Sequence, residues 1–144
     1  MLQAPRLKTV MTPFPHTVDI AAPITEVRAF MREHHIRHLP VTEDGELAGI
    51  LTDRDIKLVL GPDFDYPEES ALTARDAYQA DAYVVDIETR LDVVLTEMAD
   101  RHIGSALVTR KGRMAGILTV TDVCRTFSEY LREFYPDDDG GDAA

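Results

Sequence analysis

The sequence predicts an α+β fold built from two tandem copies of one β-α-β-β-α unit. The first observation is a repeated motif, GILTDRD at residues 49–55 and GILTVTD at residues 116–122, which stand 67 residues apart. The second is that the same offset, held without a gap, aligns residues 18–20 (VDI) with residues 85–87 (VDI). A fixed period of this kind indicates one supersecondary unit that is repeated, each copy completing its core against the other.

The first half of unit one is predicted to be a short strand and an amphipathic helix. Residues 16–20 favour a strand, and Pro23 suits the first helical position, where its missing N–H costs nothing. Apolar side chains follow at helical spacing, which indicates one buried helix face. They are Ile24, Val27, Phe30 and Met31.

The second half of unit one is predicted to be a hairpin followed by a helix. Residues 36–42 and 47–52 favour strands, and the Asp-Gly pair between them is a strong hairpin signal. A helix is expected over residues 53–60, where a Gly-Pro pair ends it.

Unit two retraces this order, and its first helix carries an additional start signal. Thr89-x-x-Asp92 predicts a capping box that unit one lacks. Strands are expected over residues 83–87, 104–109 and 114–119, a first helix over residues 90–101, and a final helix after residue 119.

The final helix is predicted to be longer than its counterpart and to carry an apolar stripe at spacings of three and four. Two repeats need only the beginning of that stripe. Its aromatic remainder either folds back on its own chain or is buried against a second subunit, and we expect the subunit, hence a homodimer. The stripe consists of Val120, Val123, Cys124, Phe127, Tyr130, Leu131 and Phe134.

The acidic character of the chain is concentrated outside the repeats. Of the formal net charge of −11, segments 62–70 and 136–144 each contribute four acidic residues and no basic one. The repeats are therefore nearly neutral, and the charge says little about their ligand. We divide the chain into an extended N-terminal arm (1–8), repeat 1 (9–61), an acidic linker (62–74), repeat 2 (75–127), and a helix extension with a disordered acidic tail (128–144).

The composition argues against several classes of protein. No basic stripe is available to release phosphate counterions, which argues against nucleic acid as a partner. No apolar run approaches the roughly 18–20 residues that span a membrane, and the N-terminus shows no secretory signal. The single cysteine, Cys124, excludes an internal disulfide and a multi-cysteine metal site. We therefore expect a cytoplasmic protein that binds neither membrane nor nucleic acid.

Catalysis and metal binding find little support in the sequence. No nucleophile–base arrangement and no P-loop are visible, so we expect no enzyme. His34, His35 and His38 form a cluster, but a helix–strand boundary separates His34 from His38, and no obvious acidic ligand accompanies them. Since zinc sites need three or four placed ligands, we expect no metal site.

The repeated Thr-x-x-Asp motif stands where a strand ends and a helix begins. Thr52 with Asp55, and Thr119 with Asp122, resemble capping boxes, which stabilise a helix by about 1 kcal/mol. A helix N-terminus also favours phosphate, and a hydroxyl and a carboxylate suit ribose hydroxyls. The glycine before each strand allows another group to approach the backbone closely. The motif can therefore serve as a cap, as a ligand site, or as both.

The unit with its G-h-h-T-x-x-D motif resembles the cystathionine-β-synthase (CBS) domain, and two such units in tandem resemble a Bateman module. Residues 10–13 (VMTP) and 36–41 (IRHLPV) support the resemblance, which covers roughly residues 9–127. It implies two repeats packed about a pseudo-twofold axis with two clefts between them. It also implies a non-catalytic sensor that binds AMP, ADP or ATP and needs no cofactor.

The resemblance implies roles for the motif residues. Asp55 and Asp122 are expected to hold ribose hydroxyls, and Thr52 and Thr119 to support the ribose or phosphate. The adenine base is expected against the first and second strands of each unit. The other residues expected to bind nucleotide are Thr17, Val18, Arg37, His38, Pro40, Arg54, Val84, Val85, Ser105 and Thr121.

The two copies differ at the positions where family members often reach phosphate. These positions are Arg37 and His38 in unit one but Gly104 and Ser105 in unit two. We therefore expect two unequal sites. The signal would pass through altered contacts of the homodimer or of a regulated partner protein.

Two alternatives remain open at the level of the sequence. The chain could be a structural or interaction module with vestigial sites. It could also sense S-adenosylmethionine or NAD, which share the adenosine half and its ribose contacts.

Overall fold

The computed structural model describes residues 4–13, 15–61 and 69–137. An N-terminal segment contains α1 (Leu7–Val10) and β1 (Thr12–Pro13). Repeat 1 contains β2 (Val18–Asp19), α2 (Ile24–His34), β3 (His38–Glu43), β4 (Glu46–Thr52) and α3 (Asp53–Leu60). Repeat 2 contains β5 (Val84–Asp86), α4 (Leu91–Arg101), β6 (Ser105–Arg110), β7 (Arg113–Thr119) and α5 (Val120–Phe134). The α+β class and the order β-α-β-β-α in both repeats are confirmed.

Parts of four predicted segments lie outside this description. They are residues 1–3 of the N-terminal arm, residue 14 of repeat 1, residues 62–68 of the acidic linker and residues 138–144 of the tail. Across the described ranges, no helix has the length and apolarity needed to cross a membrane.

The two repeats form sheets with the same strand pairing. In repeat 1, β2 runs parallel to β3, and β3 runs antiparallel to β4. In repeat 2, β5, β6 and β7 pair in the same way, and β1 joins the free edge of β7. Both hairpin turns place two consecutive residues at positive φ, Asp44-Gly45 and Lys111-Gly112. This is the conformation that a two-residue hairpin turn requires.

The segment that precedes each repeat packs on the other repeat. Thr12 of β1 lies opposite Ile117 of β7. Gln79, which stands 67 residues after Thr12, forms the equivalent bridge with Ile50 of β4. The Ile50 and Gln79 backbones exchange hydrogen bonds of 3.0 and 2.7 Å. The two repeats are therefore interlocked through their leading segments.

The leading segment of each repeat also contributes side chains to the hydrophobic core of the other repeat. Ala74, the last residue of the predicted linker, and Ala77, near the start of the predicted repeat 2, belong to the buried cluster of repeat 1. Leu7 and Met11 belong to the buried cluster of repeat 2. A smaller third cluster joins the two sheets and consists of Ile50, Leu107 and Ile117.

Two expectations about segment ends were wrong. Leu7–Val10 form a helical turn instead of an extended arm, because Leu7 is 1% exposed and anchors the turn in the core of repeat 2. Pro23 is the N-cap of α2 rather than its first residue, and its carbonyl accepts a hydrogen bond from Val27.

The capping box predicted for α4 does not form. The helix begins at Leu91, and Arg90 is an N-cap without a side-chain cap. The Asp92 carboxylate instead accepts hydrogen bonds of 3.1 and 3.0 Å from the Arg90 guanidinium. Arg90 thus binds the Asp92 carboxylate, which was expected to pair with Thr89 in the capping box.

The aromatic end of α5 remains exposed. Phe127, Tyr130 and Phe134 are 58%, 43% and 37% exposed. Their rings contact one another, with centroid distances of 6.1 Å for Phe127–Tyr130 and 4.7 Å for Tyr130–Phe134. The aromatic end of the stripe, unlike Val123, therefore stays outside the hydrophobic core that the structure describes.

Candidate functional site

Two clefts lie between the repeats, and the 67-residue offset relates their walls. The Asp55 cleft has a volume of about 640 Å³ and the Asp122 cleft about 800 Å³. Polar residues of the Asp55 cleft are Arg37, His38, Thr52, Asp53, Arg54, Asp55, Lys57, Gln79, Asp81, Tyr83, Arg101, His102 and Ser105. Polar residues of the Asp122 cleft are Thr12, His16, His35, Arg37, His38, Thr119, Thr121, Asp122 and Arg125.

Both Thr–Asp pairs form capping boxes at the cleft walls. The Thr52 N–H donates to Asp55 Oδ2 at 2.9 Å, and the Asp55 N–H donates to Thr52 Oγ1 at 3.1 Å. Thr119 and Asp122 repeat this exchange at 2.9 and 3.3 Å. The N-termini of α3 and α5 therefore stand beside the two clefts, where the helix dipole favours an anion.

The second carboxylate oxygen distinguishes the two aspartates. Asp122 Oδ1 accepts a 3.0 Å hydrogen bond from Thr12 Oγ1, and Asp122 is 6% exposed. Asp55 Oδ1 lies 3.4 Å from Gln79 Nε2, near the long limit for a hydrogen bond, and Asp55 is only half-buried. Asp55 is consequently the more accessible acceptor for a ligand hydroxyl.

The close approach predicted at the motif glycines is made by the protein chain. A Cβ at Gly49 would collide with the backbone oxygen of Gln79. A Cβ at Gly116 would lie 2.8 Å from the backbone oxygen of Thr12. Both glycines lie inside β4 and β7 rather than before them. They accommodate the crossing segments, which the sequence interpretation did not foresee.

Arg37 and His38 lie between the two clefts and line both. The His38 ring rests against Gly104, where an added Cβ would stand 2.9 Å from His38 Cε1. His38 Nδ1 is buried and has no hydrogen-bond partner among the described residues. Burial lowers the pKa of His38 below its ordinary 6.5; the Asp55 charge opposes this effect and the Arg37 charge adds to it. The ring is therefore predominantly neutral at pH 7.

These paired repeats and clefts match a known family. The sequence profile of the CBS domain matches twice, over residues 7–61 and 74–129. The chain belongs to the CBS domain family. Because the two matches stand in tandem, it is a CBS pair. Hypoxic response protein 1 of Mycobacterium tuberculosis is 31% identical to it over 109 residues, which cover 74% of each chain.

Solved structures of CBS pairs share the fold of this chain. The CBS domain pair of protein MJ0100, in complex with 5′-methylthioadenosine and S-adenosyl-L-methionine, is 24% identical with a TM-score of 0.77. The match covers 89% of this chain and 99% of that one. CBSX2 in complex with AMP is 21% identical with a TM-score of 0.76, covering 90% and 100%. The predicted CBS pair architecture is thereby confirmed.

Most of the predicted site residues come together in this CBS pair. Those of the Asp55 cleft adjoin α3 or the start of β6, and those of the Asp122 cleft adjoin α5. Arg37 and His38 are common to both clefts. The predicted residues that line a cleft are Arg37, His38, Thr52, Arg54, Asp55, Ser105, Thr119, Thr121 and Asp122.

The remaining predicted residues do not lie at the described cleft walls. Val18 packs against the core of repeat 1, and Val85, which is 8% exposed, belongs to the core of repeat 2. Pro40 is buried in β3, and Thr17 and Val84 are exposed elsewhere. Side chains alternate along these short first strands, so that Val18 and Val85 pack against the cores while Val84 is 44% exposed. The wall positions come two residues earlier: Pro15, His16, Ala82 and Tyr83.

Several cleft residues were missed from the sequence. Thr12 and Gln79 were placed in repeats 1 and 2 without a role at the site, although the 67-residue offset relates them and could have identified them as a pair. Tyr83 and Arg101 also line the Asp55 cleft, with the Arg101 guanidinium carbon 5.1 Å from the Tyr83 ring centroid. Burial raises the pKa of Tyr83, so its hydroxyl stays protonated at neutral pH and can donate a hydrogen bond.

The histidine cluster divides in the structure. The His34 ring packs on Phe30 and His16, with centroid distances of 4.3 and 4.5 Å. His35 and His38 line the Asp122 cleft instead. Within residues 4–13, 15–61 and 69–137, no group of three or more His, Cys, Asp or Glu side chains is arranged to hold a metal ion.

Proposed function

We propose that this CBS pair is a non-catalytic regulatory module that binds an adenosine nucleotide, AMP, ADP or ATP, between its repeats. The observation that carries the proposal is the placement of a capped helix N-terminus, with its Thr–Asp pair, on the wall of each cleft. In this arrangement Asp55 accepts from ribose hydroxyls, while Thr52 and the first N–H groups of α3 adjoin the ribose or phosphate.

The Asp55 cleft is proposed as the stronger site. Its aspartate keeps an accessible oxygen, whereas both oxygens of Asp122 are engaged by the protein. Arg37, Arg54 and Arg101 supply positive charge for phosphate, while Lys57 is held by Asp53 at 2.9 Å. An apolar floor of Ile50, Ala82, Ile103 and Leu107 is available for a base.

The ligands of similar CBS pairs support the adenosine class. CBSX2 is described in complex with AMP, and the MJ0100 pair with two other adenosine compounds. S-adenosylmethionine and NAD therefore remain the alternative ligands, because the ribose contacts would be the same. The choice among them depends on groups beyond the ribose.

We expect the signal to pass through a homodimer. The exposed aromatic rings of α5 adjoin a groove of about 650 Å³ between α1, α4 and α5. Apolar side chains such as Leu7, Leu91 and Leu95 line it. A second subunit would remove this apolar surface from water, and a ligand that discriminates between two subunit arrangements would shift their populations. A regulated partner protein would then read the arrangement.

The second candidate function is that of an interaction module with vestigial sites. The capping boxes favour it, because the hydrogen bonds of Thr52 and Asp55 already account for the motif without a ligand. The two candidates differ in one respect that can be measured, namely whether any nucleotide stabilises the fold.

A thermal-shift panel of AMP, ADP, ATP, NAD and S-adenosylmethionine tests the proposal. A ligand at a hundred times its Kd stabilises the fold by roughly 2.7 kcal/mol, which is a clear shift. We expect adenine nucleotides to shift the melting temperature, and Asp55→Asn to reduce that shift more than Asp122→Asn does. Asp100→Asn, at the exposed C-terminal end of α4, is the matched control. An unchanged melting temperature with every compound would favour the interaction module. A shift with NAD or S-adenosylmethionine alone would identify that compound, instead of AMP, ADP or ATP, as the ligand.

A further inference from the structure

Arg37 is a wall residue of three adjoining cavities. It lines the Asp55 cleft and the Asp122 cleft. It also lines a smaller pocket of about 320 Å³ on the surface of repeat 1, together with Arg28, Arg32, His35 and Asp53. Through Asp53 this basic pocket adjoins the Asp55 cleft, and through His35 it adjoins the Asp122 cleft. A cluster of basic side chains thus adjoins both clefts.

The positive charge of this cluster is only partly neutralised. Arg28 forms a 2.8 Å ion pair with Glu69. Neither Arg32 nor Arg37 forms an ion pair within the ranges that the structure describes. Arg37 precedes β3 and is exposed, so its guanidinium can reach an anion without first giving up a carboxylate partner.

Repeat 2 supplies no second arginine at the equivalent place. The position 67 residues after Arg37 is Gly104, and the positions after Arg28 and Arg32 are Leu95 and Ala99. A side chain at 104 is also disfavoured by packing, since even a Cβ would stand 2.9 Å from His38 Cε1 and would require the ring to move. The pseudo-symmetric clefts therefore have one arginine to share at this position.

We propose that Arg37 is a phosphate-binding residue common to both clefts, so that a phosphorylated ligand in one cleft weakens the binding of a second phosphorylated ligand in the other. The inference rests on the proposed function and adds how many phosphorylated ligands one chain binds tightly. A guanidinium carries a single positive charge, and the pair of N–H groups that binds one phosphate is not available to a second. Two phosphates that approach the same residue also repel each other.

The inference distinguishes ligands by charge rather than by base. AMP, ADP or ATP would occupy one cleft per chain tightly and the other weakly. 5′-methylthioadenosine has no phosphate and would not bind Arg37. It would therefore bind to the two clefts independently, with the affinity of each cleft. The ratio of the two dissociation constants is thus expected to be at least tenfold larger for AMP than for 5′-methylthioadenosine.

Isothermal titration calorimetry of the full chain with AMP and with 5′-methylthioadenosine tests this rule. Arg37→Ala should weaken the first AMP by about tenfold or more, because a hydrogen bond to a charged group is lost. The ratio of the two dissociation constants for AMP should also fall to the ratio found for 5′-methylthioadenosine. Arg113→Ala, at the exposed start of β7, is the matched control and should leave both ratios unchanged.

Each other outcome overturns the inference in a recognisable way. Two AMP sites of similar affinity in the natural chain would overturn the sharing of Arg37 and leave the proposed nucleotide function intact. The same would follow from an unchanged AMP ratio in Arg37→Ala, or from an equally large ratio for 5′-methylthioadenosine. No heat and no melting shift with either ligand would overturn the proposed function and this inference together.

Discussion

Thr12 Oγ1 donates a 3.0 Å hydrogen bond to Asp122 Oδ1, across 110 residues of chain. The equivalent contact in the other half, between Gln79 Nε2 and Asp55 Oδ1, is 3.4 Å long. One carboxylate oxygen of each aspartate therefore caps a helix, and the other accepts a hydrogen bond from the segment that precedes the opposite repeat. The difference between the two contacts makes Asp122 the more structural residue and Asp55 the more available one.

Asp122→Ala should destabilise the fold more than Asp55→Ala. The first change removes a helix cap and leaves the Thr12 hydroxyl without its partner, for an expected loss of about 2 kcal/mol in the free energy of unfolding. The second removes a cap and a weak contact, for a loss of about 1 kcal/mol. Urea denaturation measures both values. Asp92→Ala, which removes a carboxylate from an exposed ion pair, should change stability by less than about 0.5 kcal/mol. Equal losses for Asp55 and Asp122 would contradict this assignment.

Gly104→Ala should destabilise the fold through His38. The added methyl group would stand 2.9 Å from His38 Cε1, so the ring must move, at an expected cost of about 1–3 kcal/mol. Combining it with His38→Ala should recover most of that cost, since the double variant has room for the methyl group. A double-mutant cycle by chemical denaturation measures the coupling, expected at about 0.5–3 kcal/mol. Additive losses would show that the two residues do not share this space.

His38 should make the fold less stable as the pH falls below about 6.5. Burial lowers the pKa of His38 in the folded chain, so the unfolded chain takes up the proton first. The contribution of His38 is therefore complete above the unfolded-state pKa and is lost as the pH falls through the lower, folded-state pKa. Asp55 opposes the shift and Arg37 adds to it.

The measurement is the unfolding free energy of the natural chain and of His38→Gln between pH 7.5 and 5, in steps of about half a unit. The variant should lose less stability over this interval. His102→Gln, at the exposed C-cap of α4, is the control variant. Identical slopes for the natural chain and His38→Gln would contradict the prediction.

Charged substitutions in the aromatic end of α5 should separate the proposed homodimer. Phe127→Glu combined with Tyr130→Glu places two charges on the surface expected to face a second subunit, where unpaired charge is costly to bury. Size-exclusion chromatography with light scattering should give twice the chain mass for the natural protein and one chain mass for the variant. Lys111→Glu, at an exposed hairpin turn, should leave the mass unchanged. A natural protein that runs as a monomer at all concentrations would remove the basis for signalling through a homodimer.

The architecture could be predicted closely from the sequence because its signals are local. The Asp-Gly pair anticipated the positive φ values of the first hairpin turn, and the Thr-x-x-Asp motif anticipated both capping boxes. The local signal failed at Thr89, where the Arg90 guanidinium takes the Asp92 carboxylate. Val18 and Val85 were expected at the clefts; their side chains pack against the two cores, and His16 and Tyr83, two residues earlier, line the clefts.

The sequence by itself determined that two copies of one unit exist, the order of their strands and helices, and the Thr–Asp pairs that begin α3 and α5. These properties depend on residues within a few positions of one another, so spacing and turn chemistry suffice to specify them. Only the tertiary structure decided that each leading segment crosses to the other repeat, that His38 occupies the space beside Gly104, and that Arg37 belongs to both clefts. Those contacts join residues far apart in the chain, and they arise only when two sheets pack against each other around their shared cluster of Ile50, Leu107 and Ile117.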